Sequence, residues 1–485
     1  MPRQPNILVA ISDDQAWPHA GAYGCPFLRT PAFDEVAQRG VLFTNAYCPA
    51  PSCSPSRAGL LTGRNPWQLA EGGVLWSLLP ARYDVYPDLL ERAGYHVGHT
   101  FKGWGPGSVE QSGRSRNPAG PAYQECRNEP PTSCMSKNDY SANFADFLSK
   151  RPQGAPFCFW YGAKEPHRVY EKGSGVRAGK RLEDVEVPPY LPDCEEVRSD
   201  LLDYALEIEW FDTHLQRMLD MLRDAGELDN TIVVVTGDNG LPFPRAKANL
   251  YEQGMHVPLA ICWPDRVPGG RAVTDLVSFI DLAPTFLQAA AVGPEQEMTG
   301  RSLMDVLTSA KSGRVDATRD HVLTGRERHA FARAGNVGYP CRAIRTHEYV
   351  YIRNFLPDRW PAGDPPAYGD IDGSPTKNHM LAHKDDPRVR PLYEKAFGKR
   401  PAEELYAVED GYACLDNLAE QPQRAQIKQA LWTRMEAELR AQEDPRIVGG
   451  AEAYDTYPYI PLQGKSPDEA EFVGMDDLRA NGLVG

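Results

Sequence analysis

The chain has 485 residues, 41% of them hydrophobic, and this composition excludes a largely disordered or fibrous protein. Its 52 Lys and Arg against 66 Asp and Glu give a formal net charge of −14. That balance argues against nucleic acid as the main partner, because a duplex binder needs a basic face. No stretch reaches the roughly 18–20 uncharged apolar residues of a membrane span, so no membrane partner is predicted either.

The first predicted element is a buried strand at residues 6–12, an apolar run that ends in Asp13-Asp14. Similar runs follow, with helical patterns between several of them, at 95–101, 156–163, 231–236 and 257–263; the longest helical pattern covers 199–225. This alternation predicts an α/β fold with a mostly parallel central sheet flanked by helices. Ligands bind beyond the carboxyl ends of such strands, so the polar residues that follow each run are the candidates for chemistry.

After about residue 315 the pattern changes to that of a smaller α+β region built on an antiparallel sheet. Alternating strand patterns occur at 341–355, polar loops rich in Pro and Gly at 357–377, and a helical pattern at 425–442, before an irregular tail from Asp444. We therefore predict two domains, 1–315 and 316–485.

The compartment is predicted from the N-terminus, where five residues precede the first strand and leave no room for a signal peptide. As it stands the sequence favours a cytoplasmic protein, or a periplasmic or secreted one whose signal was removed. The absence of an Asn-x-Ser/Thr sequon disfavours a glycosylated eukaryotic secretory protein, so we expect a bacterial one. The ten cysteines do not indicate a disulfide framework in a chain of this length.

The sharpest motif is Cys-Ser-Pro-Ser-Arg at residues 53–57, which runs into Ala-Gly-Leu-Leu-Thr-Gly-Arg at 58–64. Alone, the short pattern also suits an ordinary buried thiol beside a loop proline. The extended pattern resembles the sulfatase signature. In that family the cysteine is oxidised to formylglycine, whose hydrate supplies one hydroxyl as the nucleophile and keeps a second to expel sulfate, which a serine lacks. The resemblance implies formylglycine at Cys53, made by a formylglycine-generating or equivalent maturation enzyme.

Four hard oxygen donors follow two of the predicted strands, namely Asp13-Asp14 after the first and Asp238-Asn239 after 231–236. Such donors suit an alkaline-earth cation better than a soft metal. Asp13-Asp14 alone also suits a turn or a helix cap. The resemblance implies that these four residues, together with the oxygen of the modified Cys53, hold one divalent ion, Ca²⁺.

Sulfate needs cations that also stabilise charge on its oxygens, and a leaving group needs a proton. Arg57 offers a guanidinium, and the resemblance places Lys102 and Lys247 at the family's two other basic positions, with Arg245 as a weaker substitute for Lys247. A single lysine would otherwise be a solvated surface charge. His167 corresponds to the histidine that protonates the leaving atom, a task that suits its pKa range.

Within the family the chain is most similar to the heparan N-sulfatases, and the similarity covers most of its length. It is carried by residues 53–58, 166–168, 238–244, 249–251, 339–345, 404–406 and 417–419. It implies that 1–315 is the catalytic domain and that 316–485 completes the substrate pocket. It also implies that Glu165 and Arg168 contact the sugar, while His329 suits either a substrate contact or a structural role.

One position departs from that group, which has Lys-x-His where this chain has Lys102-Gly103-Trp104. Trp cannot accept a proton, so the histidine that takes a proton during sulfate release is missing. Either another base serves, such as Asp14 or a metal-bound water, or Trp104 forms an apolar wall for a sugar face.

The leading hypothesis is a sulfatase that acts on a sulfated saccharide, most specifically on N-sulfoglucosamine of heparan-type glycans. Three alternatives stay open: an O-sulfatase for another glycan, such as glucosamine 6-sulfate or an algal polysaccharide; a phosphate or phosphonate ester hydrolase on the same fold; and a silent binder of sulfated glycans if Cys53 is never oxidised. The oligomeric state cannot be derived from the sequence.

Overall fold

The structure is a computed structural model and describes residues 4–460. Its strands are β1 (Asn6–Ser12), β2 (Val41–Tyr47), β3 (His96–Phe101), β4 (Phe157–Gly162), β5 (Thr231–Gly237), β6 (His256–Cys262), β7 (Arg271–Val273), β8 (Val277–Ser278), β9 (His321–Arg326), β10 (Cys341–Thr346), β11 (Tyr349–Asn354) and β12 (Glu403–Ala407). Its α-helices are α1 (Pro31–Arg39), α2 (Cys53–Thr62), α3 (Tyr86–Arg92), α4 (Tyr140–Ser149), α5 (Ser174–Arg177), α6 (Glu195–Asp224), α7 (Glu252–Met255), α8 (Leu282–Ala289), α9 (Met304–Thr308), α10 (Pro375–Ala382), α11 (Arg390–Phe397), α12 (Ala425–Ala441), α13 (Pro445–Val448) and α14 (Ala453–Thr456).

The central sheet has eight strands in the order β3-β4-β1-β5-β6-β2-β7, with β8 also paired to β2. Strands β3, β4, β1 and β5 are parallel neighbours. Strand β6 runs antiparallel to both β5 and β2. The predicted α/β class with a mostly parallel sheet is confirmed, and each of the five apolar runs contains a strand of this sheet.

Strand β1 is apolar throughout because both faces of the sheet are covered. Ile7, Val9 and Ile11 point into one hydrophobic core, and Leu8 and Ala10 point into the other. Helices α2, α3 and α8 lie on the first side, whereas α1, α4 and α6 lie on the second. Alternate residues of a strand face opposite sides, so a strand covered on both sides has no polar stripe.

The second sheet is antiparallel, with the order β12-β11-β10-β9. Helix α12 packs on it through Leu431, Met435 and Leu439, whose spacing of four keeps them on one helix face. The strand pattern at 341–355 is two strands, β10 and β11, because the chain turns at residues 347–348. The domain division at residue 315 stays a prediction.

Three further features bear on the sequence predictions. Across residues 4–460, no helix combines the length and apolar character needed to cross a membrane. All ten cysteines are free thiols. The tail after Asp444 contains the short helices α13 and α14 within the described residues.

Candidate active site

The predicted site segments meet at one edge of the central sheet. Asp13 and Asp14 follow β1, Lys102 follows β3, and Asp238 follows β5. Because β3, β4, β1 and β5 are parallel neighbours, their carboxyl ends lie side by side. Backbone hydrogen bonds tie these ends together, from Asp13 N to Glu165 O at 2.9 Å and from Asp238 N to Ser12 O at 3.0 Å.

Cys53 is the first residue of α2, a helix whose ten residues are all buried. Its Sγ atom lies 3.4 Å from Asp13 Oδ1 and 3.7 Å from Asn239 Nδ2. Burial and the nearby Asp13 charge raise the pKa of the Cys53 thiol well above its usual value. The helix N-terminus directs its unpaired backbone N–H groups and the positive end of its dipole towards this position, which favours an anion there.

Three buried carboxyl groups surround the Cys53 side chain. One ligand atom from each of Asp13, Asp14, Asp238 and Cys53 lies within 4.8 Å of the others. Burial and the Asp238 charge raise the pKa of Asp13 to about 6. Burial also opposes ionisation of Asp238, but the charges of Arg57 and Lys102 outweigh it and lower the pKa of that carboxyl. A buried group of hard oxygen donors that lie this close together fits a divalent cation such as Ca²⁺.

Each carboxylate is paired with one buried cation. Lys102 Nζ lies 2.6 Å from Asp13 Oδ2, and Lys247 Nζ lies 2.6 Å from Asp14 Oδ1. Arg57 Nε donates to Asp238 Oδ2 at 2.8 Å. The structure thus brings the predicted metal ligands together with Arg57, Lys102 and Lys247.

The Arg57 guanidinium is held on two sides. Its Nη1 donates to the backbone oxygens of Lys102 and Gly103 at 2.7 and 3.1 Å, while its Nε donates to Asp238. Its Nη2 is buried and has no hydrogen-bond partner among residues 4–460. A buried guanidinium nitrogen without an acceptor costs free energy, which a bound anion would recover.

The backbone is unusual at two places beside the site. Asp14 has a φ of 70° and Phe101, next to Lys102, has a φ of 56°. Left-handed conformations of non-glycine residues are uncommon and often accompany functional sites. Gly240 follows Asn239 where a Cβ would lie 2.0 Å from Gln253 O, so only glycine permits this approach.

His167 lies beside the carboxylate cluster. Its Nε2 is 3.9 Å from Asp14 Oδ2, and its Nδ1 is 2.7 Å from Arg168 O. The imidazole is therefore oriented by the backbone on one side and directed at the site on the other.

Asp372 is a site residue that the sequence analysis missed. Its Oδ2 is 3.5 Å from Lys247 Nζ, and ligand atoms of Asp14, His167 and Asp372 lie within 4.8 Å of one another. Burial raises the pKa of Asp372, but the charges of Lys247 and His167 outweigh this effect and lower it. Its only sequence signal was its place in the polar loops at 357–377, which do not distinguish one Asp from the others.

Glu165 and Arg168 have their polar groups engaged within the protein. The Glu165 carboxylate accepts hydrogen bonds from Ser136 N at 2.8 Å and Tyr140 OH at 2.7 Å. The Arg168 guanidinium forms a two-point ion pair with Asp200 at 2.7 and 2.9 Å. These contacts anchor both ends of the loop that carries His167, and the sugar contacts of the two residues stay a prediction.

The remaining predicted residues surround the cluster. His329 lies close to Cys53, since its Nδ1 is 2.8 Å from Oγ of the adjacent Ser52, and burial lowers its pKa to about 3. Trp104 is part of the main hydrophobic core, and its contact with a sugar stays a prediction. Arg245 donates to the backbone oxygens of Lys395 and Cys414 instead of reaching the cluster.

Comparison with known proteins gives matches along most of the chain. The family profile named Sulfatase matches residues 5–292, and the profile described as N-sulphoglucosamine sulphohydrolase, C-terminal, matches residues 245–364. An ulvan-active sulfatase of Formosa agariphila is 26% identical over 466 residues, which cover 87% of this chain and 72% of that protein. The N-sulphoglucosamine sulphohydrolase of Homo sapiens is 28% identical over 474 residues, which cover 88% of each chain.

Solved structures show the same fold. One, of a protein in complex with its substrate D-glucosamine-2-N,6-O-disulfate, has a TM-score of 0.64 at 19% identity and covers 91% of this chain and 98% of that one. The phosphonate monoester hydrolase of Agrobacterium radiobacter has a TM-score of 0.61 at 18% identity and covers 90% of this chain and 96% of that one.

Proposed function

We propose, from the premise that this chain belongs to the sulfatase family, that it removes the sulfate group from N-sulfoglucosamine units of heparan-type saccharides. Membership makes it a sulfuric ester hydrolase, and the sugar and the N-linked sulfate are the proposed part. One observation carries the proposal: buried Cys53 lies between three carboxylates that are each paired with a buried cation.

Two groups are needed besides the encoded side chains. Formylglycine formed from Cys53 by a maturation enzyme would supply the attacking hydroxyl. A Ca²⁺ ion held by Asp13, Asp14, Asp238 and Asn239 would supply positive charge against the sulfate oxygens. The hard oxygen donors fit that ion, as described above.

The protein's own cations would hold the sulfate. Arg57 presents its free Nη2 beside Cys53, and its other nitrogens keep it from rotating. Lys102 and Lys247 are each already in contact with a carboxylate of the cluster. Because these charges are fixed before the substrate binds, they stabilise charge on the sulfate oxygens without reorganising.

His167 would donate a proton to the departing atom. Its Nδ1 contacts the Arg168 carbonyl oxygen, which holds the ring and leaves Nε2 directed at the cluster. The Glu165 and Arg168 anchors position the loop, so these two residues act through His167 in this proposal.

Asp372 favours an N-sulfate over an O-sulfate. When a sulfamate is cleaved the leaving nitrogen gains positive charge on protonation, whereas an O-sulfate releases an oxygen that develops negative charge. A carboxylate beside His167 and Lys247 stabilises the first and opposes the second. The match of residues 245–364 to the N-sulphoglucosamine sulphohydrolase profile supports the same choice.

An O-sulfated glycan is the second candidate. It is favoured by Trp104, at the position where the heparan N-sulfatases have a histidine, and by the match to an ulvan-active sulfatase over 87% of the chain.

The test measures free sulfate released by calcium-loaded protein co-produced with a formylglycine-generating enzyme. The two sulfated substrates are N-sulfoglucosamine and 6-O-sulfated N-acetylglucosamine, and a third arm uses the monophenyl ester of methylphosphonate, whose hydrolysis is measured as released phenol. Release from the N-sulfated sugar alone supports the proposal. Release only from the O-sulfated sugar establishes the second candidate, and cleavage of the phosphonate alone overturns both.

A further inference from the structure

We propose a second metal site, for a zinc-type ion, at Cys194, Glu196 and His379. The three side chains come from two elements: Cys194 is the N-cap of α6, Glu196 lies in the first turn of α6, and His379 lies on α10. One ligand atom from each lies within 4.8 Å of the others. These residues share none of the ligands of the carboxylate cluster at the strand ends.

The distance between Cys194 and His379 matches that of two ligands on one tetrahedral ion, whereas Glu196 lies nearer to the other ring nitrogen of His379 and has to turn to reach that ion. Cys194 Sγ lies 3.6 Å from His379 Nε2. Zinc bonds of about 2.3 Å to sulfur and about 2.0–2.1 Å to nitrogen separate two such ligands by roughly 3.5 Å in tetrahedral geometry. Glu196 Oε2 lies 3.8 Å from His379 Nδ1, and 54% of its side chain is exposed, so it can rotate towards the shared centre.

The ligand types select the ion. A thiolate and an imidazole suit Zn²⁺ and Co²⁺, whereas Ca²⁺ takes only oxygen ligands. The His379 side chain is 15% exposed, so the site is sheltered on one side and open to solvent at Glu196. The His383 ring stacks on His379 at 4.3 Å and its Nδ1 is 2.9 Å from His379 O, which restrains the ligating ring.

The position of the site gives it a structural role. Helix α10 begins three residues after Asp372, and its Thr376 Oγ1 donates to Asp200 Oδ2 at 2.6 Å. Asp200 is also the partner of Arg168 beside His167. An ion bound to α6 and α10 would therefore hold together the two segments that carry Asp372 and the Arg168 anchor.

The test titrates Co²⁺ into calcium-loaded full-length protein with Cys53→Ala, which removes the thiol at the strand-end cluster. We expect one Co²⁺ per chain, a sulfur-to-cobalt charge-transfer band, displacement by Zn²⁺, and a rise in melting temperature with Zn²⁺. Adding Cys194→Ser removes the band and the rise in melting temperature, and the matched control Cys25→Ser, at another partly exposed free thiol, keeps both.

A second, milder variant tests the site without the risk that the protein fails to fold. Glu196→Gln changes a largely exposed side chain and should weaken Co²⁺ binding by about tenfold or more. Absence of the band, a band that persists in the Cys194→Ser protein, or unchanged affinity in Glu196→Gln would each overturn the three-ligand site. None of these outcomes depends on sulfatase activity, so the proposed function is tested separately.

Discussion

Arg57 and Asp238 form a fully buried ion pair, with Arg57 Nε 2.8 Å from Asp238 Oδ2, that joins the first turns of α2 to the carboxyl end of β5. Both partners also belong to the proposed active site, so one contact links the position of Cys53 to the position of the metal ligands. Removing either charge would leave the other buried without compensation.

We predict that Arg57→Ala destabilises the fold as well as abolishing sulfate release. A broken buried pair costs about 3–5 kcal/mol, which chemical denaturation would measure. Arg39→Ala is the matched control, because its pair with Asp229 lies at the surface, with side chains 32% and 65% exposed, and contributes less than about 1 kcal/mol. Equal losses of stability in the two variants would contradict a special role for the buried pair.

Replacing Cys53 by Ala or Ser should abolish sulfate release while the protein keeps its fold. Alanine has no nucleophile, and serine lacks the second hydroxyl that a hydrated formylglycine provides. Mass analysis of the peptide that contains Cys53 measures conversion, and circular dichroism checks the fold. Unaltered turnover in Cys53→Ala would refute the mechanism, and Cys25→Ser serves as the control thiol.

Asp372→Asn should lower kcat/KM for the N-sulfated sugar by roughly tenfold, equivalent to about 1.4 kcal/mol of transition-state stabilisation. The rate on an O-sulfated sugar should change less or rise, because the lost charge opposed a developing negative charge. Asp410→Asn, an exposed position in the same part of the chain, is the control. A loss of equal size on both substrates would mean that Asp372 does not distinguish the two leaving groups.

Calcium should raise the melting temperature. Removing it with a chelator should reverse that rise and abolish sulfate release. Ligand at a hundredfold excess over its Kd adds about 2.7 kcal/mol to the free energy of unfolding. Asp13→Asn should abolish the calcium-dependent rise in melting temperature, because it removes one of the proposed ligands. Retention of the full calcium effect in that variant would place the ion elsewhere.

Acidic pH should destabilise the protein through its buried histidines. Burial lowers the pKa of His19, His99 and His214 to about 4 and that of His329 to about 3. The unfolded chain takes up protons near pH 6.5 and the native state does not, so stability present above pH 6.5 is lost as the pH falls towards 4. For each of these histidines, the free energy of unfolding should fall by about 2 kcal/mol between pH 7 and pH 5.

The comparison that isolates this effect is His99→Gln against the exposed His383→Gln, with unfolding free energies measured at both pH values. The His99 variant should show a smaller difference between pH 7 and pH 5 than the parent protein. An identical difference in the parent and in His99→Gln would show that this ring does not titrate below its usual range.

Much of the site was predictable because its residues follow strands that the sequence marks clearly. The run at 6–12 ends in Asp13-Asp14 and the run at 231–236 precedes Asp238-Asn239, so the α/β rule on strand ends places them at one edge. Lys102 and Lys247 came from the resemblance, and the structure brings both to the carboxylates.

Other features depended on contacts between distant segments. Asp372 lies 125 residues from Lys247 in a loop without periodicity, so no local pattern marks it. Glu165 and Arg168 lie within two residues of His167 in sequence, but the direction of their side chains is decided by Tyr140 of α4 and Asp200 of α6. The same holds for Cys194 and His379, which come together only because α6 packs against α10.

The sequence by itself determined the fold class and the strand-end positions of the candidate site, because hydrophobic periodicity is a local property of the chain, and its motifs indicated the reaction class through their resemblance to the sulfatases. Only the tertiary structure decided which charged side chains face the site and which are neutralised inside the core. A buried charge must have a partner, and that partner is supplied by whichever segment the fold brings within a few ångströms.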